Sequence, residues 1–177
     1  DALGRVLRAG GYEVNNEFYI NDRGNQMDLF GASLMARANG EAPPENGYQG
    51  DYVSDIAAQI VAEHPAITSL PEDEQLVAFR EAGYKFQLGE HQSQLANFRT
   101  EFDVWFSERS LHETDAVEVS LAMLDGQGRS YVEEGAIWMR TTDFDDDKDR
   151  VLVKSDGSLT YFASDTAYYV NKRGRGF

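Results

Sequence analysis

The residues best suited to chemistry in this chain are carboxylates and tyrosines set where strands give way to helices. Glu108 follows the compact apolar run "FDVWFS", and Tyr161 and Asp165 lie within "LTYFASDTAYY". The carboxyl end of a strand is where α/β proteins put functional groups. On pattern alone Glu108 reads equally well as a surface acid beside a turn. Asp165, in a first helical turn, reads first as a cap or a complement to the helix dipole. If Glu108, Tyr161 and Asp165 converge at adjacent strand ends, they form a negative pocket with an aromatic wall. A guanidinium fits that pocket, because carboxylates accept its forked N–H donors and an aromatic face stacks on it. Asp103 and Glu108 do not make a catalytic pair, since a strand end points them in different directions.

A second stretch, "YINDRGNQ" at residues 19–26, leaves a strand through polar side chains and a glycine. Asn21 or Asp22 can accept backbone N–H bonds in the turn, Gly24 permits a left-handed backbone, and Asn25 can cap a helix starting near Gln26. A place for Asn21, Asp22 and Gln26 beside a substrate is the alternative reading. In "TDFDDDKDRVLVK", Asp143, Asp145 and Asp147 have the spacing of the first ligands of a calcium loop. That loop needs Gly at its sixth position and Glu at its twelfth, where this sequence has Lys148 and Lys154. A solvated hairpin loop, its acids paired with Lys148, Arg150 and Lys154, is the expectation. His64, His91 and His112 are scattered without a ligand spacing, so no metal site is expected. His91, between Leu88 and Leu95, reads as a packing or boundary residue. "GQG" at 126–128 reads as a turn.

The formal net charge of −15 repels phosphate backbones and acidic membranes and attracts cations. The absence of cysteine excludes a disulfide scaffold and a thiolate zinc site, and suits a reducing cytoplasm. No apolar run approaches the roughly 20 residues of a membrane span. With 41% hydrophobic residues in 177, one core-forming domain, or one domain with insertions, is expected.

The elements that must position these residues are set by periodicity. Helices are expected over 1–9, from Asn25 to Ala38, from Asp51 to Glu63, and from "PEDEQ" onward, with breaks at Gly83 and Gly89 before a further helix reaching Arg99. "LHETDAVEVSLAMLDG" reads as one helix ending at Gly126, and "ASDTAYYVNKR" as the last. Strands are expected in "YEVNNEFYI", "EFDVWFSE", "GAIWMRT", "RVLVKS" and "LTYF". Strands alternating with helices at both ends suit an α/β domain interrupted by insertions. Both ends of the chain read as cut from a longer protein.

Several stretches then resemble one family. "GAIWMRTTDFDDDKDRVLVKSDGSLTYFASDTAYY", "DALGRVLRAGGYEV", "YINDRGNQMDLFG" and "FDVWFSE" are similar, in order, to catalytic-domain segments of arginyl-tRNA synthetases of the bacterial type. The resemblance implies a class I nucleotide-binding fold: a Rossmann-like parallel sheet, incomplete here, with α/β insertions. Its core would cover roughly 1–36, 76–107 and 160–177, and its insertions roughly 37–75 and 108–159. The family's arginine pocket falls on Glu108, Tyr161 and Asp165. The parent would use ATP with Mg to activate L-arginine and transfer it to tRNA(Arg) in the cytoplasm.

The His-Ile-Gly-His signature and the Lys-Met-Ser-Lys-type loop are absent from these 177 residues. No catalytic residue is therefore assigned, no cofactor is expected on this piece, and no aminoacylation by it alone. The resemblance also implies a missing first strand, hence self-association through an unpaired sheet edge. The competing reading is a non-catalytic acidic α/β module that binds a cationic ligand or partner.

Overall fold

Apolar side chains at helical spacing build the first half of the chain around three helices. The computed structural model describes all 177 residues, which divide into two units, Asp1–Phe106 and Ser107–Phe177. In the first unit, α1 (Ala2–Ala9) stops at Gly10 and is followed by β1 (Glu17–Ile20). Then come α2 (Asn25–Ala38), α3 (Tyr52–Glu63), a 3-10 turn at Pro65–Ser69, α4 (Glu72–Asn97) and β2 (Val104–Ser107). Phe30 and Leu34 of α2 meet Val53, Ile56 and Ile60 of α3, with Ile67 and Phe79 closing the core.

The expected breaks in α4 do not occur: it runs unbroken for 26 residues. Pro71 precedes it, and Glu72, Asp73 and Glu74 fill its first turn, where acids complement the helix dipole. Gly83 is there for proximity. A Cβ on it would press into Leu34 Cδ1 and lie 3.0 Å from Phe30 Cε1. Gly31 does the same from α2, where a Cβ would come 2.8 Å from Arg80 Cβ. Two helices that each drop a side chain at the contact approach more closely than ordinary packing permits. Arg80 then reaches across to Asp28 at 2.8 Å.

The strand expected over "YEVNNEFYI" forms only at Glu17–Ile20. Upstream, the Arg8 guanidinium donates to Val14 O at 2.9 Å, and Asn16 N donates to Asp103 Oδ2 at 2.7 Å. Side chains thus take the backbone groups that a longer ladder would need. Asp103 also pairs with Arg8 at 2.7 Å, so it is structural. β1 and β2 run parallel. Phe18 stacks on Trp105 at 4.8 Å and Tyr19 on Phe106 at 5.9 Å, so ring partners advance together along both strands.

The second unit contains α5 (Arg109–Glu113), α6 (Ala116–Gly126), β3 (Ser130–Glu133), β4 (Ala136–Met139), a 3-10 turn at Thr141–Phe144, β5 (Arg150–Val153) and α7 (Tyr161–Gly174). The strands form an antiparallel sheet in the order β3-β4-β5. Three expectations change here. The single helix expected up to Gly126 is two, because Asp115 adopts a left-handed φ of 51°. Thr114 Oγ1 meanwhile donates back to Ser110 O at 2.6 Å. β3 has no counterpart among the expected strands, although Glu134 and Gly135, with φ of 49° and 78°, make the two-residue turn that a tight hairpin prefers. The strand expected over "LTYF" is reduced to a bridge between Leu159 and Val153, and Tyr161 opens a helix instead.

α7 packs on α6 and β5 through a face of small residues, Ala163, Ser164 and Ala167, all buried. Val117, Leu111 and Leu152 are fully buried within the same unit.

Gly83→Ala is expected to destabilise the first unit by about 1–3 kcal/mol, the usual cost of overpacking. Gly89→Ala, where a Cβ meets nothing within 4 Å, is expected to stabilise by about 0.5–1 kcal/mol through helix propensity. Urea unfolding of both variants measures the pair, and opposite signs are the expected result.

Candidate functional site

The turn at "YINDRGNQ" begins where β1 ends, at Ile20, and Asp22 N donates to Ile20 O at 3.0 Å. Asp22 is buried, whereas Asn21 and Gln26 are exposed. Gly24 has a φ of 89°, as its place in the turn required, and is itself the N-cap; Asn25 is the first residue of α2 and does not cap it. Met27 N donates to Gly24 O at 3.0 Å. Asn21 and Gln26 stand at a cavity of about 360 Å³ whose walls include Tyr48, Tyr52, Tyr84 and Leu88. His91, expected at a packing boundary, lies on the same cavity.

In the second unit, Glu108 is the residue before α5 and is only 6% exposed. Leu111 N donates to Glu108 O at 3.0 Å, and Ser110 Oγ donates to Ser107 O at 2.7 Å, which ties down the entry to the helix. One turn along α5, His112 Nε2 lies 4.0 Å from Glu108 Oε1. The same nitrogen is 3.4 Å from Ser164 Oγ on α7. The buried Glu108 and Ser164 and the half-buried His112 thus form a polar row that joins the two helices. Sequence reasoning misses His112 and Ser164. Their signal is available in principle, since His112 is one helical turn from Glu108 and Ser164 adjoins Asp165.

α7 carries the other two predicted residues. Thr160 caps it, its Oγ1 accepting from Ala163 N at 3.3 Å while donating to Val151 O at 2.8 Å. The cap therefore belongs to Thr160, and Asp165 is freed from that purpose. Tyr161, the first residue of α7, is 82% exposed. Asp165 is exposed one turn later, beside a largely apolar cavity of about 420 Å³ lined also by Met123, Leu124, Met139 and Tyr169. Tyr161 and Asp165 are at positions i and i+4, so they share the exposed side of α7, while Ser164 is turned inward. All three predicted pocket residues sit on two elements of the second unit, with the His112–Ser164 contact between those elements. Of the three, Asp165 borders that cavity, while Glu108 and Tyr161 are not among its walls.

The acidic loop is held by ion pairs. Arg150 grips Asp146 with two donors, at 2.6 and 2.8 Å, and reaches Asp147 at 2.7 Å. Arg129, a partner the spacing does not suggest, meets Asp143 at 2.8 Å. The Arg150 guanidinium holds the Asp146 carboxyl well below the ordinary carboxylate range. The Thr142 N–H and hydroxyl do the same for Asp149, which also accepts from Tyr131 Oη at 3.0 Å. Ser158 lowers Asp156. Burial, helped by Asp149, pushes the Tyr131 phenol up.

No family profile matches the sequence. The chain is 49% identical over all 177 residues to an arginine–tRNA ligase of Renibacterium salmoninarum, and 51% identical over the same span to one of Kineococcus radiotolerans. Each match covers 32% of the relative, so the chain spans about a third of the length of the curated proteins it matches. An arginyl-tRNA synthetase structure from Campylobacter jejuni superposes with a TM-score of 0.87 at 31% identity, covering 99% of this chain and 39% of that one. A Plasmodium falciparum arginyl-tRNA synthetase superposes with a TM-score of 0.63 at 13% identity, covering 97% and 30% respectively, and shows the fold alone. The resemblance read from the sequence is borne out along the whole chain, and so is a mixed α/β fold like that of these enzymes.

The three lowered carboxyls fix the sign of the acid response. Each has a folded pKa below its unfolded value of 3.8, so each contributes stability above that value that is lost as pH falls through the folded one. Near-UV circular dichroism between about pH 5 and pH 2 should show the second unit weakening, and Asp146→Asn should flatten that dependence. Independently, Thr160→Ala should cost about 1 kcal/mol by removing the α7 cap, measured by thermal unfolding.

Proposed function

We propose that this chain, alike to arginine–tRNA ligases over its entire length, is a segment of such an enzyme and carries its arginine pocket. The observation that carries the reading is the likeness of all 177 residues at close to half identity. In this reading the whole enzyme activates L-arginine with ATP and Mg and joins it to tRNA(Arg) in the cytoplasm. No helix of this chain is long and apolar enough to cross a membrane.

Glu108 and Asp165 receive the cationic groups of arginine, and Tyr161 packs on or hydrogen-bonds the ligand. The burial of Glu108 supports this, because a shielded carboxylate attracts a cation more strongly than a solvated one. Its place just after a strand supports it too. The parallel β1 and β2, with only helices between them, support a Rossmann-like core of roughly 1–36, 76–107 and 160–177. The segments 37–75 and 108–159 are then the insertions, and the second carries the antiparallel sheet. Neither signature that stabilises the transferring phosphate lies within these 177 residues, so the chain alone binds arginine without charging tRNA.

Calorimetric titration tests the pocket. Arginine should saturate one site. Lysine should bind at least tenfold more weakly, because a point charge cannot satisfy a planar forked site. Citrulline, which has the shape without the charge, should bind as poorly. Asp165→Ala should weaken arginine by roughly 10- to 100-fold, the scale of a charged hydrogen bond. Equal binding of all three ligands, or an unaffected Asp165→Ala variant, would sink the assignment.

A further inference from the structure

The cavity of the first unit answers to a different chemistry from the arginine pocket. It is lined by strand residues of β1, the start of α2, the loop and first residue of α3, and the middle of α4. In a chain with 31 acids and a net charge of −15, none of its lining residues is Asp, Glu, Lys or Arg. No carboxylate stands there to pair with a cation. The walls are rings instead: Phe18, Phe30, Tyr48, Tyr52 and Tyr84. Besides the tyrosine hydroxyls, the polar groups among them are the amides of Asn21, Gln26 and Gln87 and the imidazole of His91.

We propose that this cavity is a second ligand site, and that it takes the base of a nucleoside. Three features point the same way. Aromatic rings offer flat faces on which a base stacks, and stacking is strong and tolerant of sequence. Carboxamides match the paired donor and acceptor on the edge of a purine, the geometry by which Asn and Gln read adenine. A volume of about 360 Å³ lies at the small end of ligand pockets, the scale of one nucleoside. The rings are firmly set, which limits the ordering cost of binding. Phe30 is buried in the core and holds Tyr48 edge-on at 5.2 Å, and Phe18 stacks on Trp105. Tyr52 is 48% exposed and offers a ring at the mouth. The site does not depend on Glu108, Tyr161 or Asp165.

The test uses the 177-residue chain with four probes: adenosine, cytidine, phenol and a short single-stranded oligoadenylate. Calorimetry and ligand-observed NMR monitor binding, and arginine is titrated on the same sample. Adenosine should saturate one site and bind several-fold more tightly than cytidine, because the larger ring system stacks better. Tyr52→Ala should weaken adenosine about tenfold, Tyr52→Phe should leave it nearly unchanged, and Gln87→Ala should weaken it several-fold. Arginine binding should be indifferent to all three variants.

The oligonucleotide separates the two sources of a base, and both results support the site. Tighter binding than adenosine, strengthened by added salt that screens the chain's negative charge, assigns the base to an RNA strand. Binding of adenosine alone assigns it to free nucleosides. Failure of adenosine to bind a chain that binds arginine overturns this proposal and leaves the arginine pocket standing. Phenol binding as well as adenosine, with no effect of Gln87→Ala, overturns the nucleobase assignment. Adenosine binding without arginine binding overturns the arginine pocket alone.

Discussion

The close approach of α2 and α4 is the constraint on which the first unit depends. Gly31 meets the backbone side of Arg80, and Gly83 meets Leu34 and Phe30. Each helix removes a side chain where the other presents one. This seating fixes Phe30 and Leu34 against Phe79 in the core, and α3 closes over them. It also sets where α4 carries Tyr84, Gln87 and His91 relative to the start of α2, and so shapes the cavity. Two missing methyl groups therefore control both a core and the shape of a cavity. The ion pair of Arg80 with Asp28 decorates the contact; at such exposure it contributes little beyond orientation.

The second unit rests on a different device. α7 turns its smallest residues inward, so that Ala163, Ser164 and Ala167 sit flush against their neighbours. Ser120 Oγ donates to Thr166 Oγ1 at 3.1 Å, and Ser164 meets His112. Small faces permit short spacings, and short spacings let brief polar side chains reach one another. Tyr161 and Asp165 are left outward because the inward positions of the same helix are taken. Thr160 links this helix to β5 by capping one and donating to the other.

Much of the architecture was legible because it rests on local rules. The helices of residues 25–38 and 52–63 arise from apolar periodicity, and the turn at Gly24 from its neighbours. What misled was chemistry whose meaning depends on a distant partner. Gly83 and Gly89 look alike in the sequence, yet one faces Leu34 and the other faces open space. Asp115 shows no local sign that it will break a helix. "LTYF" has the composition of a strand, but Thr160 ends the strand by capping α7. For the sites, the sequence pointed to Glu108, Tyr161, Asp165, Asn21, Asp22 and Gln26. Among the residues it did not reveal, His112 and Ser164 carry a local cue in their spacing from Glu108 and Asp165, whereas Tyr48, Tyr52 and Gln87 come to the cavity through tertiary proximity, which spacing cannot supply. Family likeness identified what composition could not, since a net charge of −15 by itself argues against a nucleic-acid partner.

The length of α4 carries one more implication. Its 26 residues amount to about 39 Å of helix, yet its buried residues, Phe79 and Gly83, lie in the first half. From Gly89 to Asn97 nearly every residue is exposed. That distal stretch has little besides its own backbone bonds to hold it, so it sits at the low end of local stability and frays first. The cavity lies where the packed half passes into the fraying half. Anything seated against Tyr84, Gln87 and Leu88 would extend the ordered length of the helix, and the rod would register occupancy as a change in amide exchange well beyond the point of contact.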